Sequence, residues 1–181
     1  DQALMAALTL PQGEDESLDD FIKRAKQDAK EQSIKAAQKG TEIHAEIEAG
    51  FTGGKPTEAY SAVMQSLTQE FGECNWVAED SFSCALGFGG KIDLYADSGI
   101  VVDFKTKDGL TDKAPVYDEH GMQLSAYALG LGFDDPIRVS IFIDRNDPSK
   151  VLQHTWDKKS HEKHRDMFLS LLSYWQLSKN Y

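Results

Sequence analysis

Two aspartates and a lysine at strand spacing are the residues of this chain best placed to do chemistry. In Ile100-Val101-Val102-Asp103-Phe104-Lys105, side chains of an extended segment alternate between faces. Asp103 and Lys105 therefore point one way, and Val102 and Phe104 the other. In Lys91-Ile92-Asp93-Leu94-Tyr95, the same alternation puts Ile92 and Leu94 on one face and Asp93 on the opposite one. Asp97-Ser98-Gly99 between the two segments is a hairpin signal, with Gly99 suited to a left-handed position. A three-residue loop there pairs Ala96 with Ile100 and brings Asp93 opposite Asp103. Directly opposed side chains have Cβ atoms about 4.5–5.5 Å apart, and like charges at that distance destabilise a sheet. Lys105 supplies one counter-charge, and a divalent cation with oxygen ligands would supply the rest. Carboxylates of this kind hold Mg²⁺ or Mn²⁺, which polarises a phosphate and lowers the pKa of bound water. A neighbouring ammonium stabilises the charge that develops on phosphorus oxygens. Taken alone, the pattern also fits a surface hairpin with a cross-strand ion pair.

The wider sequence narrows the choice. Gly90-Lys91-Ile92-Asp93, then Asp103-Phe104-Lys105-Thr106, then Gln123-Leu124-Ser125-Ala126-Tyr127, with Gly40-Thr41-Glu42-Ile43-His44 upstream, resembles the PD-(D/E)xK nuclease superfamily and, within it, the RecB-like exonuclease branch. The resemblance spans about Gly40 to Tyr127, roughly half the chain. It implies an α/β fold with a restriction-endonuclease-like core: a central mixed β-sheet flanked by helices, the N-terminal helices forming one wall of the active-site cleft. It implies metal ligation by Asp93, Asp103, the backbone carbonyl of Phe104 and His44. Lys105 resembles the catalytic lysine, and Gln123 and Tyr127 resemble the pair that positions the site and the DNA backbone. Glu79 stands where the superfamily often has an acidic residue. The implied cofactor is one or two Mg²⁺ or Mn²⁺ ions. Cys74 and Cys84 are too few for the iron–sulfur cluster of some relatives. The activity implied is a metal-dependent DNA exonuclease acting on single-stranded or free DNA ends, in replication, recombination or repair. A structure-specific or restriction-type endonuclease, and a non-catalytic nucleic-acid-binding module, are the alternatives.

Placing those residues requires a particular series of elements. Pro11, Gly13 and Glu14-Asp15-Glu16 mark residues 1–16 as an acidic flexible arm, and 17–181 reads as one domain. Ser17 is placed to cap a helix running to about Gln38 and burying Phe21, Ala25 and Ala29. Gly40-Thr41 is expected to break or kink it. Ile43, Ile47 and Phe51 then form a helical stripe, with His44 and Glu48 sharing the adjacent face. Pro56 opens a third helix to about Phe71. Residues 75–80 and 83–86 suggest two short strands, followed by the Asp93–Asp103 hairpin. Tyr117 to about Gly130 is helical, which puts Gln123 and Tyr127 on one face. Residues 137–144 and 151–157 form a second hairpin around Asn146-Asp147-Pro148. Ser160 opens a last helix expected to bury Met167, Phe168, Leu171, Leu172 and Trp175. Its His161 and His164, among basic residues, are expected on a solvated or phosphate-facing surface, and Trp76, Trp156 and Trp175 in the core.

Composition agrees with a globular protein: 40% of residues are hydrophobic and 10% aromatic. No apolar run reaches the ~18 residues of a membrane span, so no membrane partner is expected. Two cysteines make no disulfide framework, which fits a reducing, cytoplasmic-type compartment, bacterial or phage-infected, or mitochondrial. A net charge of −11 runs against a DNA partner. Residues 1–20, however, hold six acids and no Lys or Arg. Lys23, Arg24, Lys26, Lys30, Lys35 and Lys39 cluster on the first helix, and Lys150, Lys158, Lys159, Lys163 and Arg165 near the end. Local basic tracks of this sort can follow a phosphate backbone against the global sign.

Overall fold

The computed structural model describes residues 10–13, 15–113 and 115–180; most of the expected acidic arm lies outside them. The elements are α1 (Leu18–Phe51), α2 (Glu58–Phe71), β1 (Trp76–Cys84), β2 (Phe88–Ala96), β3 (Ile100–Lys107), α3 (Asp118–Leu131), β4 (Ile137–Asp144), β5 (Val151–Thr155) and α4 (Ser160–Lys179). Contacts divide the chain into two compact units, Asp1–Glu42 and Ile43–Tyr181. No helix among the described residues is long and apolar enough to cross a membrane.

In the first unit, Ser17 Oγ accepts the Asp20 N–H at 3.2 Å, the expected cap. Arg24 is clamped on Glu16 through Nε and Nη2, at 2.8 and 2.7 Å. Ala25 and Ala29 are buried, as their spacing predicts. The expected break at Gly40-Thr41 is absent, and α1 runs on to Phe51. The Thr41 hydroxyl donates to the Ala37 carbonyl one turn back at 3.1 Å, a bond compatible with a place inside the helix. One interior glycine costs about 1 kcal/mol relative to alanine, too little to stop a helix that is packed on both sides of it.

The second unit is an α/β sheet sandwich. Five strands lie in the order β1-β2-β3-β4-β5, antiparallel except for the parallel β3–β4 pair. A parallel pair needs a crossover, and α3 provides it. Ile43 and Ile47 of α1 and Ala59, Val63 and Leu67 of α2 pack on one face, against Leu94, Val102, Phe104, Val139 and Ile141. Leu124 and Ala128 of α3 pack on the other, against Ile92 and Val101. Covering both faces explains why β3 and β4 read as nearly continuous apolar runs. The two short strands expected over 75–86 are a single nine-residue strand, β1. The β4–β5 hairpin closes around Asp147, whose carbonyl accepts the Lys150 N–H at 2.9 Å.

The last helix departs most from expectation. Its buried residues are His161 and His164, while Leu171 and Trp175 are 56% and 44% exposed. The two histidines are not on a phosphate-facing surface: His164 lies on the buried Arg138 guanidinium, and His161 on the Ser125 hydroxyl that Arg138 also contacts. Arg138 Nη1 donates to Ser125 Oγ at 3.0 Å and His164 Nδ1 at 2.9 Å. Its Nη2 donates to the Asp157 carbonyl and Ser160 Oγ. Arginine only donates, so His164 Nδ1 carries the lone pair and its Nε2 proton faces Asp118 Oδ1 at 3.2 Å. The Ser125 hydroxyl, 3.2 Å from His161 Nδ1, completes the same pattern. This network docks α4 onto α3 and leaves the helical stripe beyond it partly in solvent.

Candidate functional site

The β2–β3 hairpin has the register read from the turn. Ala96 pairs with Ile100, Tyr95 with Val101 and Leu94 with Val102, around a loop in which Gly99 takes a φ of +91°. The ladder stops one step short of Asp93 and Asp103. There the Asp93 carboxylate turns onto β3, and its Oδ2 accepts the Phe104 N–H at 2.7 Å.

The β1–β2 ladder is interrupted at the same place. Ala78 pairs with Leu94 and Asp80 with Ile92, while Glu79 and Asp93 are skipped. Glu79 has a φ of +55°, a left-handed conformation that costs a non-glycine residue about 1–2 kcal/mol. The interruption reverses the strand's facing. Ile92 packs under α3, whereas Leu94 packs under α1 and α2. The expectation that these two share a face is therefore corrected: simple alternation fails at Asp93, and the irregularity aims both Glu79 and Asp93 at one point.

His44 reaches that point from α1, two residues into the second unit. One donor atom from each of His44, Glu79 and Asp93 lies within 4.8 Å of the others, all on half-buried side chains. His44 Nδ1 is 3.6 Å from Asp93 Oδ1, and its ring meets Phe104 edge-on with centroids 5.8 Å apart. Burial pulls the imidazole pKa down, but Asp93, Asp103 and Glu79 outweigh it, and the pKa rises above the usual histidine value. Glu79 also contacts Lys91, a pairing that sequence reasoning missed.

Asp103 stands beside this trio, not within it. It is 1% exposed and its Oδ2 is 2.5 Å from Lys105 Nζ. Burial pushes its carboxyl up to about 6, opposed by Lys105 and reinforced by Asp93. Lys105 donates to Gln123 Oε1 at 2.9 Å, and Gln123 Nε2 donates to the Tyr127 hydroxyl at 2.6 Å. Asp103, Lys105, Gln123 and Tyr127 thus form one polar chain from β3 to α3. Burial raises the Tyr127 pKa; Gln123 opposes that rise, and Asp103, Asp93 and Glu79 add to it. Its hydroxyl therefore lies in the field of all three carboxylates.

His120 was not singled out from the sequence, although it falls on the same α3 face at spacing i, i+3, i+7 with Gln123 and Tyr127. Its pKa is lowered by burial and then by Lys105 and Lys107. Its Nδ1 is buried without a hydrogen-bond partner among the described residues.

One imidazole nitrogen and two carboxylates make a mixed donor set of the kind that accepts Mn²⁺ or Zn²⁺, and Mg²⁺ with more of its shell left as water.

No family model matches the chain, and no curated protein matches it. Solved structures similar to it include the crystal structure of SSO0001, at 18% sequence identity and a TM-score of 0.35. That similarity covers 61% of this chain and 55% of that one, so the chain spans about half the length of its structural neighbour.

Proposed function

We propose that the protein is a metal-dependent phosphodiesterase that cuts DNA, with a restriction-endonuclease-like core of the PD-(D/E)xK type and exonuclease action on single-stranded or free ends. One observation carries this reading: the clustered donors of His44, Glu79 and Asp93 adjoin the Asp103–Lys105–Gln123–Tyr127 chain. A nuclease needs a cation site and a positioned ammonium side by side, and a hairpin ion pair needs neither the histidine nor the glutamine.

When bound, a divalent cation supplies Lewis acidity toward the phosphate and a water of lowered pKa. The remaining work belongs to the protein. His44, Glu79 and Asp93 furnish the ligands, and Asp93 holds the Phe104 amide so that β3 stays in place. Asp103 holds Lys105 in its orientation. Gln123 fixes the other side of the ammonium, leaving its remaining proton for a phosphate oxygen or the attacking water. Tyr127 locks the Gln123 amide in the orientation that accepts from Lys105.

The test is a time course on end-labelled single- and double-stranded DNA with Mn²⁺, Mg²⁺ or chelator. Wild type should cut only with metal. Lys105→Ala should lose at least about 10²-fold in kcat while retaining the fold and DNA binding. Full activity in that variant would remove Lys105 from the reaction, and activity in chelator would remove the metal. Loss of covalently closed circular single strands would assign endonuclease action instead.

A further inference from the structure

Next to the lysine chain lies a cleft of about 610 Å³, bounded by the β1–β2 turn, α3 and α4. That volume is within the range of small-ligand sites. Gln123 and Tyr127 belong both to its wall and to the chain that ends on Lys105. Much of the rest is aromatic. Phe82 and Phe88 meet edge-on with centroids 5.7 Å apart, and Phe88 and Phe168 at 4.8 Å. Met122 and Leu172 also line it.

The charge of the lining limits what can enter. Its ionisable side chains are Glu119 and Tyr127, with no Lys, Arg or His among the described lining residues. Phosphate is disfavoured by such a wall. A flat, uncharged group with hydrogen-bond donors on its edge is favoured: aromatic faces stack on it, and Glu119 and Gln123 can accept from a ring N–H or an exocyclic amine.

We propose that this cleft receives an unpaired nucleobase of the strand whose backbone lies at Lys105. The substrate would then be single-stranded DNA or a frayed end, because a base inside a duplex cannot reach the cleft without leaving its stack. The inference rests on the phosphodiesterase reading and deepens it, by assigning strand selection to Phe88, Phe168, Met122 and Leu172.

Fluorescence anisotropy in chelator, where no cutting occurs, tests it with a labelled oligothymidylate and an abasic strand of equal length. Wild type should bind the oligothymidylate about tenfold more tightly, the size of one base–aromatic stack. Phe168→Ala, which empties the cleft, and Leu172→Trp, which fills it, should both bring oligothymidylate down to the abasic affinity. Neither should alter abasic binding or the Mn²⁺-induced shift in melting temperature. Equal binding of the two strands by wild type overturns the proposal, and so does an undiminished preference in either folded variant. If wild type cuts DNA while showing no base preference, the cleft assignment fails and the phosphodiesterase reading stands. If a cleft-dependent preference is found without metal-dependent cutting, the reading fails and the cleft remains as a nucleobase site.

Discussion

Asp103 is the residue on which the electrostatics of the site turn. Its folded carboxyl titrates near 6, against an ordinary value of 3.8, because burial penalises the charged form. Between those two pH values the metal-free folded protein binds more protons than the unfolded chain. The contribution of this group to stability is therefore greatest below about pH 4, falls as pH rises through about 6, and is then constant. The loss amounts to something on the order of 3 kcal/mol. In metal-stripped protein, Asp103→Asn should flatten that part of the profile and unfold at higher urea than wild type above pH 6. Parallel urea midpoints for wild type and variant across this window check it; identical slopes would mean that Asp103 is not desolvated. At this scale much could be read from sequence. Strand alternation put Asp103 and Lys105 on one face, and helical spacing did the same for Gln123 and Tyr127. What was not legible is the division of labour: Asp103 pairs with Lys105, while Glu79, flanked in sequence by Asp80, joins His44 and Asp93. A side chain's partner depends on backbone irregularity that residue types do not reveal.

That irregularity belongs to the strands. The Glu79–Asp93 interruption turns a regular β1–β2 ladder into one that faces two ways, and it does so through a left-handed Glu79. Strained backbone of this kind persists where the surroundings hold it, and it clusters at functional sites. Glu79→Gly separates the two consequences. Glycine adopts a positive φ freely, so the metal-free protein should be as stable as wild type or more stable by up to about 1 kcal/mol. The Mn²⁺-induced rise in melting temperature should shrink sharply, because one ligand is gone. Thermal melts with and without Mn²⁺ decide it, and an unchanged metal shift would take Glu79 out of the donor set. The elements themselves were legible wherever periodicity was strong: the Ile43–Ile47–Phe51 stripe, the β2–β3 hairpin and α3. They were misread where a local signal met a stronger tertiary one. Gly40-Thr41 looked like a break but lies inside α1, and residues 75–86 looked like two strands, although β1 stays paired with β2 through Ser81 and Phe82. In α4 the apolar spacing was real, yet Arg138 holds the helix by Ser160 and His164, and Ser125 holds it by His161, which leaves Leu171 and Trp175 partly exposed.

For the molecule as a whole, charge poses the sharpest question, since a net −11 repels the polyanion it is proposed to cut. Much of that charge is local. Residues 1–16 carry Asp1, Glu14, Asp15 and Glu16 without a single Lys or Arg. Glu16 in addition occupies the Arg24 guanidinium, and its carboxyl is held down to about 2 mainly by that hydrogen bond, so it stays charged at every pH at which DNA is intact. Within the first unit, then, the acidic segment both adds negative charge and ties up a cation of the basic helix. Chain lacking residues 1–16 should bind single-stranded DNA several-fold more tightly at low salt, through faster association more than slower release. Electrostatic repulsion between exposed charges fades beyond a Debye length of roughly 8 Å at physiological ionic strength. The advantage of the shortened chain should accordingly shrink as salt is raised, and its affinity should fall more steeply with salt than that of the full chain, because an unmasked Arg24 adds to the counterions released on binding. Binding isotherms of the two chains over a salt series test this. Parallel salt slopes would show that Arg24, freed of Glu16, takes no part in holding DNA.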